Sequence, residues 1–309
     1  MRKATEKRYD RPLARSIIKL GSRLFLGSKR AHWQDSFPGL NLATSGGRRQ
    51  VFYRHQVVCT LEPHSIIDIG KPATYVVGSG PSINDCDLRR VEARCALLLN
   101  GAINLMAREM PEPLAVAIED ERFVWRHFSL MRNRIPAGTI CLFSVQVLRA
   151  ICENDPCWLS DKRIVLIDNI VKPYGLPRRK PDELAEMPFA VFDRRTASGL
   201  SQEPDRGVFQ GGSVAISALQ FLIASRPNLI GFFGVDISNA NSPRFYETEG
   251  QAAYSGIASA QERLLRHFEL GLSLCAQQGI NLECYSSSSA LLTVGYQYSD
   301  RFSLSRQAR

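Results

Sequence analysis

Seven short apolar runs recur along the chain, and each one that leads into the next segment ends in a small or polar residue. They are Thr74–Val77, Cys95–Leu99, Leu114–Ile118, Thr139–Phe143, Ile164–Ile167, Leu229–Phe233 and Ile280–Cys284. Runs of four or five continuous apolar residues suit strands buried on both faces, not strands with one wet face. Amphipathic segments of helical length lie between several of them, for example Val214–Ala224 and Ala258–Gln277. Alternating strands and helices predict an α/β fold, a doubly wound and mostly parallel sheet of the Rossmann-like kind. In such sheets ligands bind at the carboxyl ends of strands. The residues that follow the runs are therefore the first candidates for a site: Ser79, Asn100, Asp120, Ser144, Asp236 and Ser286.

Two stretches interrupt the rhythm. Residues 168–210 are rich in Pro, Arg and acids, which predicts a functional lid or a disordered insertion. Residues 237–256 form a second lid candidate. Residues 31–72 read as an irregular lead-in with one or two short strands near Gln50–Leu61, and residues 296–309 as a tail. The regular α/β domain is then expected over 73–295.

Gly78-Ser79-Gly80-Pro81-Ser82 follows the first regular strand. Two glycines let the backbone turn tightly and approach a phosphate, with N–H groups and Ser hydroxyls as donors. It is neither the G-x-G-x-x-G dinucleotide fingerprint nor a Walker A loop. A plain strand-to-helix turn is the competing reading. Gln210-Gly211-Gly212-Ser213 opens a helix and offers a second cluster of donors, or simply a Ser-capped helix. Ser286-Ser287-Ser288-Ser289 follows the last strand and could hold a phosphate or nucleoside, or could be a serine turn. Acids stand at two strand ends. Asp236 can orient a sugar hydroxyl or cap a turn. Asp120, with Glu119 or Glu121 beside it, can supply a general base or cap a helix.

The net charge of +9 is local. Residues 1–30 hold ten Lys/Arg against Glu6 and Asp10, and so carry +8 of it. A globally basic nucleic-acid binder is excluded; a basic arm is indicated. Within residues 11–26, Leu13, Ile17, Leu20 and Leu24 recur at helical spacing, with Arg15, Lys19 and Arg23 on the opposite side. Such a helix lies on anionic membrane surfaces, each basic residue contributing about 1 kcal/mol. The competing reading docks it on its own domain with a solvated basic face. No apolar run reaches the ~18–20 residues of a membrane span and no signal-peptide pattern is seen, so a cytoplasmic protein, peripheral on the inner face of the membrane, is expected. The eight cysteines form no Cys-x-x-Cys pair and read as reduced structural thiols.

The order of these motifs resembles two related groups. The sequence Gly-x-Gly-Pro-Ser, Asn100, Glu119-Asp120-Glu121-Arg122-Phe123, Gly211-Gly212-Ser213, Gly234-Val235-Asp236, Ser242-Pro243-Arg244-Phe245-Tyr246-Glu247 and Tyr285–Leu292 is similar to the bacterial sialyltransferases of glycosyltransferase family 42. It is closer to the Kdo transferases of the lipopolysaccharide core. The similarity covers roughly residues 73–295 and rests on order and spacing. It implies a CMP-activated 2-keto sugar donor and a lipid-linked saccharide acceptor, with inversion and without metal or cofactor. Gly78, Ser79, Gly80, Pro81, Ser82 and Asn100 would hold the CMP phosphate and ribose. Gly212, Ser213, Ser286, Ser287 and Ser288 would hold cytidine and phosphate. Ser79 stands where the sialyltransferases have Asn, which tilts the donor toward Kdo. Their lid histidine has no counterpart, so the base is expected to be Asp120 or, second, Glu247. Arg244 falls where a phosphate-binding tyrosine would be, and its fork suits phosphate oxygens.

Two other classes remain open at this stage. A pterin or nucleotide pyrophosphokinase would need carboxylates clustered for magnesium, whereas Asp120 and Asp236 end different strands. A non-catalytic sugar-nucleotide-binding protein would need no base.

Overall fold

The structure, a computed structural model, describes residues 11–67, 70–237, 244–246 and 261–304. Helices α1 (Leu13–Phe25) and α2 (Gly27–Arg30) lead into strands β1 (Leu40–Ser45), β2 (Arg48–Tyr53) and β3 (Gln56–Glu62). The regular part follows with β4 (Ala73–Val77), β5 (Ala96–Leu99), β6 (Ala115–Ile118), α3 (Glu121–Arg134), β7 (Ile140–Ser144), α4 (Val145–Asn154) and β8 (Arg163–Ile167). Then come α5 (Pro181–Ala185), β9 (Ala190–Asp193), β10 (Ser198–Ser201), α6 (Val214–Ala224), β11 (Leu229–Phe233), α7 (Gln261–Gln278), β12 (Asn281–Cys284) and β13 (Gln297–Tyr298). Every strand expected from an apolar run is present, within a residue or two at its ends.

One sheet runs β1-β2-β3-β8-β7-β6-β5-β4-β11-β12-β13. From β3 to β13 all pairings are parallel. Side chains alternate across it. Tyr75, Val77, Leu98, Val116 and Phe143 enter one core with α3 and α4. Val76, Leu97, Ala117, Leu142 and Val165 enter the other, with α6 and α7. Both faces are thus covered, which is why these strands could be read from unbroken apolar runs. Seven of the eight cysteines are buried in these layers as free thiols; burial pushes Cys59 and Cys275 up to about 12.

The strand order reverses once. From β4 the chain builds outward through β5, β6, β7 and β8, then returns across the sheet to lay β11 on the other side of β4. The crevice between the carboxyl ends of β4 and β11 is the topological switch point, the favoured ligand position in open α/β sheets.

Three expectations change. Residues 31–72 are not an irregular lead-in: β1–β3 form an antiparallel meander that joins the main sheet through Leu61 and Glu62 of β3 against Ile164 and Val165 of β8. Residues 168–210 are ordered and not a disordered insertion. They carry the return crossover and contain α5 and the β9–β10 hairpin, packed on a small core of Ile170, Leu184, Phe189 and Phe209. The third concerns α1. Leu13, Ile17, Leu20, Leu24 and Phe25 are 62–88% exposed, whereas Arg15 is 1% exposed. The helix does dock on its own domain, but with Arg15 and Lys19 inward and the apolar stripe, with Arg23, facing out.

The physical reason is Glu121, at the start of α3, whose carboxylate is wholly buried. Arg11 Nε lies 2.6 Å from it, Arg15 Nε 3.5 Å and Lys19 Nζ 4.0 Å, and the buried Arg149 guanidinium closes the cluster. Burial alone would raise the Glu121 pKa; the surrounding cations, Arg149 foremost, outweigh that and hold it below the ordinary range. Arg15 also donates to Gln34 O at 2.9 Å and Gln34 Oε1 at 2.6 Å. Residues 247–256 of the second lid candidate lie outside the described residues. So do 238–243, and no helix among the described residues is long and apolar enough to cross a membrane.

Candidate functional site

The strand-end residues singled out by sequence lie at one end of the sheet, and Ser79 and Asp236 flank the switch point. The turn after β4 and the end of β11 are locked together. Gly78 N donates to Phe233 O at 2.8 Å, and Gly80 N to Gly234 O at 2.8 Å. Both oxygens of the buried Asp236 carboxylate accept from Ser82, one from its N–H at 2.9 Å and one from its hydroxyl at 2.7 Å. The N–H groups of Gly78, Gly80 and Ser82, expected to face a phosphate, are therefore committed inside the protein, and Pro81 has none to give. Ser79 is the residue of the turn whose N–H and hydroxyl stay uncommitted among the described residues. Asp236 serves the turn itself, as a side-chain clamp.

The approach is close enough to require glycine at position 80. A Cβ there would stand 2.3 Å from Asp236 Oδ2 and 2.8 Å from Gly234 O. Gly80→Ala is expected to cost about 1–3 kcal/mol, read as a lowered Tm. An unchanged Tm would contradict this packing.

Asn100 closes β5, next to that turn. Its φ is +46°, a left-handed conformation that a non-glycine residue adopts at a cost. Its Oδ1 is buried with no hydrogen-bond partner among the described residues. A buried unpaired acceptor costs about 1–3 kcal/mol, so both features mark a place where a ligand donor would be gained. Over it lies the short described segment Arg244–Tyr246. Phe245 N donates to Ser79 O at 3.3 Å, and Arg244 Nη1 to Tyr246 Oη at 3.3 Å. The Tyr246 ring sits where a Cβ on Gly101 would be, 2.2 Å away. The segment carrying Arg244 thus lies against Ser79 of the turn after β4, while Glu247 lies outside the described residues.

On the β12 side, Ser286 is buried and its hydroxyl lies 3.3 Å from that of Ser288. Ser287 and Ser288 are exposed. Ser289 turns away, donating to Val235 O at 2.9 Å and capping the following turn. On the opposite side, Gly212 and Ser213 open α6, whose packing against β4, β5 and β6 sets its first turn over their carboxyl ends. Ser213 is its N-cap, accepting from Ala215 N at 3.3 Å.

The three consecutive acids after β6 have three different environments. Asp120 is the N-cap of α3, accepting from Arg122 N at 2.9 Å and Arg122 Nε at 2.7 Å. Burial would raise its pKa, but the Arg122 hydrogen bonds and charge win, and the carboxyl is held below the ordinary range. A capped, paired and weakly basic carboxylate is poorly suited to take a proton, which argues against Asp120 as the base. Glu121 is spent on the α1 cluster. Glu119, one residue earlier, is partly buried beneath α6 and accepts from Ser217 Oγ at 2.5 Å. Burial, opposed by that hydrogen bond and assisted by the nearby Asp120 charge, pushes its carboxyl up to about 8. That is the range of a general base or acid working at neutral pH. Sequence reasoning named Glu119 only as a neighbour of Asp120; the strand alternation that puts adjacent residues on opposite faces was the available signal.

Among the described residues no three His, Cys, Asp or Glu side chains converge as metal ligands. No protein-family model matches the chain, and no curated protein matches it either. Solved structures with a similar course of the chain include the sialyltransferase CstII from Campylobacter jejuni in complex with the substrate analogue CMP-3FNeuAc. It is 11% identical, with 75% of this chain and 88% of that one covered, at a TM-score of 0.41. The same enzyme with cytidine-5′-monophosphate gives 11%, 75%, 87% and 0.42. The monofunctional α-2,3-sialyltransferase Cst-I from the same organism gives 10%, 73%, 79% and 0.38. At these identities and TM-scores the likeness assigns neither residues nor an activity to this chain.

Proposed function

We propose that the protein is a glycosyltransferase that moves a 2-keto sugar, Kdo-like or sialic-acid-like, from a CMP-activated donor to a saccharide on a membrane lipid. The observation that carries the donor site is Asn100, with a strained backbone and an orphaned buried amide oxygen beside the switch point. The ordered motifs of the sequence support CMP as the nucleotide.

In this reading cytidine and ribose lie across the crevice between Asn100, Ser79 and the Ser286–Ser288 turn. Arg244 and the N-terminus of α6 at Gly212 and Ser213 face the phosphate. The acceptor hydroxyl oxygen bonds to the anomeric carbon, its proton passes to Glu119, and the bond from that carbon to the phosphate oxygen breaks. CMP leaves with the bonding electrons, and Arg244 stabilises the charge that develops on it. Attack opposite the leaving group inverts the anomeric centre. No step calls for a metal or cofactor. The outward stripe of α1 holds the enzyme on the cytoplasmic face of the membrane. There, Leu and Phe side chains enter the interface while Arg23, Lys29 and Arg30 face anionic headgroups. A pyrophosphokinase is disfavoured because Asp236 is tied to Ser82, away from Asp120.

Nucleotide binding is the first test. A ligand at 100 times its Kd adds about 2.7 kcal/mol of stability. CMP is expected to raise Tm by several degrees, with GMP and ATP giving little. Absence of a CMP shift would defeat the reading, and release of CMP from CMP-Kdo or CMP-sialic acid would then decide between donors.

A further inference from the structure

A second cleft, of about 1200 Å³, lies apart from the switch point, between α1 with the turn Ala31–Asp35 and the carboxyl ends of β7 and β8. Its inner wall includes Ser144 and Gln146. Ser144 Oγ and Gln146 Nε2 both donate to the carbonyl of Glu119, at 2.7 and 2.8 Å. Two lining residues are therefore tied to the backbone of Glu119, the residue that carries the raised carboxyl. Gln210, next to the α6 loop, lines it too.

Its wall is cationic. Lys19, Arg23, Lys172 and Arg178 line it, with His32, against two carboxylates, Asp35 and Asp168. Both acids are already engaged. Asp168 accepts from Tyr174 N at 3.0 Å and faces Arg49 at 3.7 Å, and Asp35 accepts from Gln34. The lining also carries Trp33, Asn169 and Tyr174, the kind of groups that sugars stack on and hydrogen-bond to. At its outer lip stand Leu20 and Leu26, which also belong to the exposed apolar surface of α1. The cleft thus runs from the apolar stripe to Ser144 and Gln146, which hold the Glu119 backbone.

We infer that this cleft is the acceptor site and that it takes the anionic saccharide headgroup of a glycolipid whose tails stay in the bilayer held by α1. Its role as acceptor rests on the transferase reading; binding itself does not. The cations select a headgroup carrying carboxylate or phosphate over a neutral one, and the stripe fixes the depth at which it is presented.

The test uses the full chain with trigalacturonic acid as a soluble anionic probe and maltotriose as its neutral counterpart, both followed by titration calorimetry. Trigalacturonate is expected to bind at least tenfold more tightly than maltotriose. The pair Lys172→Glu and Arg178→Glu should weaken it at least tenfold and leave the CMP-induced Tm shift unchanged. Equal affinity for the two sugars, or indifference to the charge reversal, overturns the assignment. So does displacement of trigalacturonate by phosphatidylglycerol vesicles alone, since the site would then read lipid phosphate. Flotation with vesicles of phosphatidylcholine and phosphatidylglycerol separates the membrane part. Ile17→Ser with Leu24→Ser, exposed stripe residues that do not line the cleft, should abolish flotation and spare trigalacturonate binding, and surviving flotation overturns the bilayer source. If CMP gives no shift while the sugar results hold, the transferase reading fails and the anionic-saccharide cleft stands.

Discussion

Glu119→Gln lowers turnover of the CMP-sugar by roughly 10²–10⁴-fold, the usual contribution of a positioned general base, and leaves CMP binding intact. Gln keeps an acceptor for the Ser217 hydroxyl, so the cleft should not rearrange. The pH profile distinguishes the candidates. With its carboxyl pushed up to about 8, Glu119 must lose its proton to act, so kcat/KM should rise about tenfold per unit up to that pH and then level. A base at Asp120, held below its ordinary value of 3.8, would leave the profile flat across the same range. A flat profile with an active Gln variant rules Glu119 out.

The same group sets a stability slope. Its folded pKa lies above the ordinary 4.5, so between roughly 4.5 and 8 the folded protein keeps a proton that the unfolded chain has released. Stability from this group is complete below 4.5 and is lost as pH rises, by at most about 1.4 kcal/mol per unit. Glu119→Gln should remove that slope and be relatively more stable at pH 8 than at pH 5.

Glu121→Ala is expected to cost about 3–5 kcal/mol, the penalty for leaving buried charges without their partner. Arg11, Arg15 and Arg149 all converge on that carboxylate. The loss should be local as well as global: α1 would detach, and Arg15 and Lys19 would become open to trypsin. Protection of α1 in this variant, measured by limited proteolysis, would show that the hydrogen bonds from Arg15 to Gln34 and to the Phe37 carbonyl hold the helix without the cluster.

The parallel strands were legible because burial on both faces leaves no polar positions in them. The meander β1–β3 was not, since strands such as Arg48–Tyr53 alternate buried and partly exposed residues and mix charge with apolar side chains. The crossover was read as irregular because the core that orders it is four residues spread from Ile170 to Phe209. For α1, the 3.6-residue period revealed two faces but not which one docks. That depended on Glu121, about a hundred residues away, offering a buried negative charge to a basic face. At the site, the strand-end positions of Ser79, Asn100 and Asp236 were legible. The division of labour among Glu119, Asp120 and Glu121 was not, because side-chain type is the same and only packing against α6, Arg122 or α1 separates them.

The switch-point crevice has a consequence for how the protein comes into being. β4 pairs on one side with β5, a neighbour in sequence, and on the other with β11, where Ala73 meets Leu229. The β5, β6, β7 and β8 side can zip up as each strand emerges during synthesis. The turn at Gly80, however, needs Gly234 and Asp236 to hold it. Closing so long a loop comes late in folding. A nascent chain ending near residue 200 would therefore present the β5–β8 half of the sheet with an open switch point, and the crevice would form in a single late step.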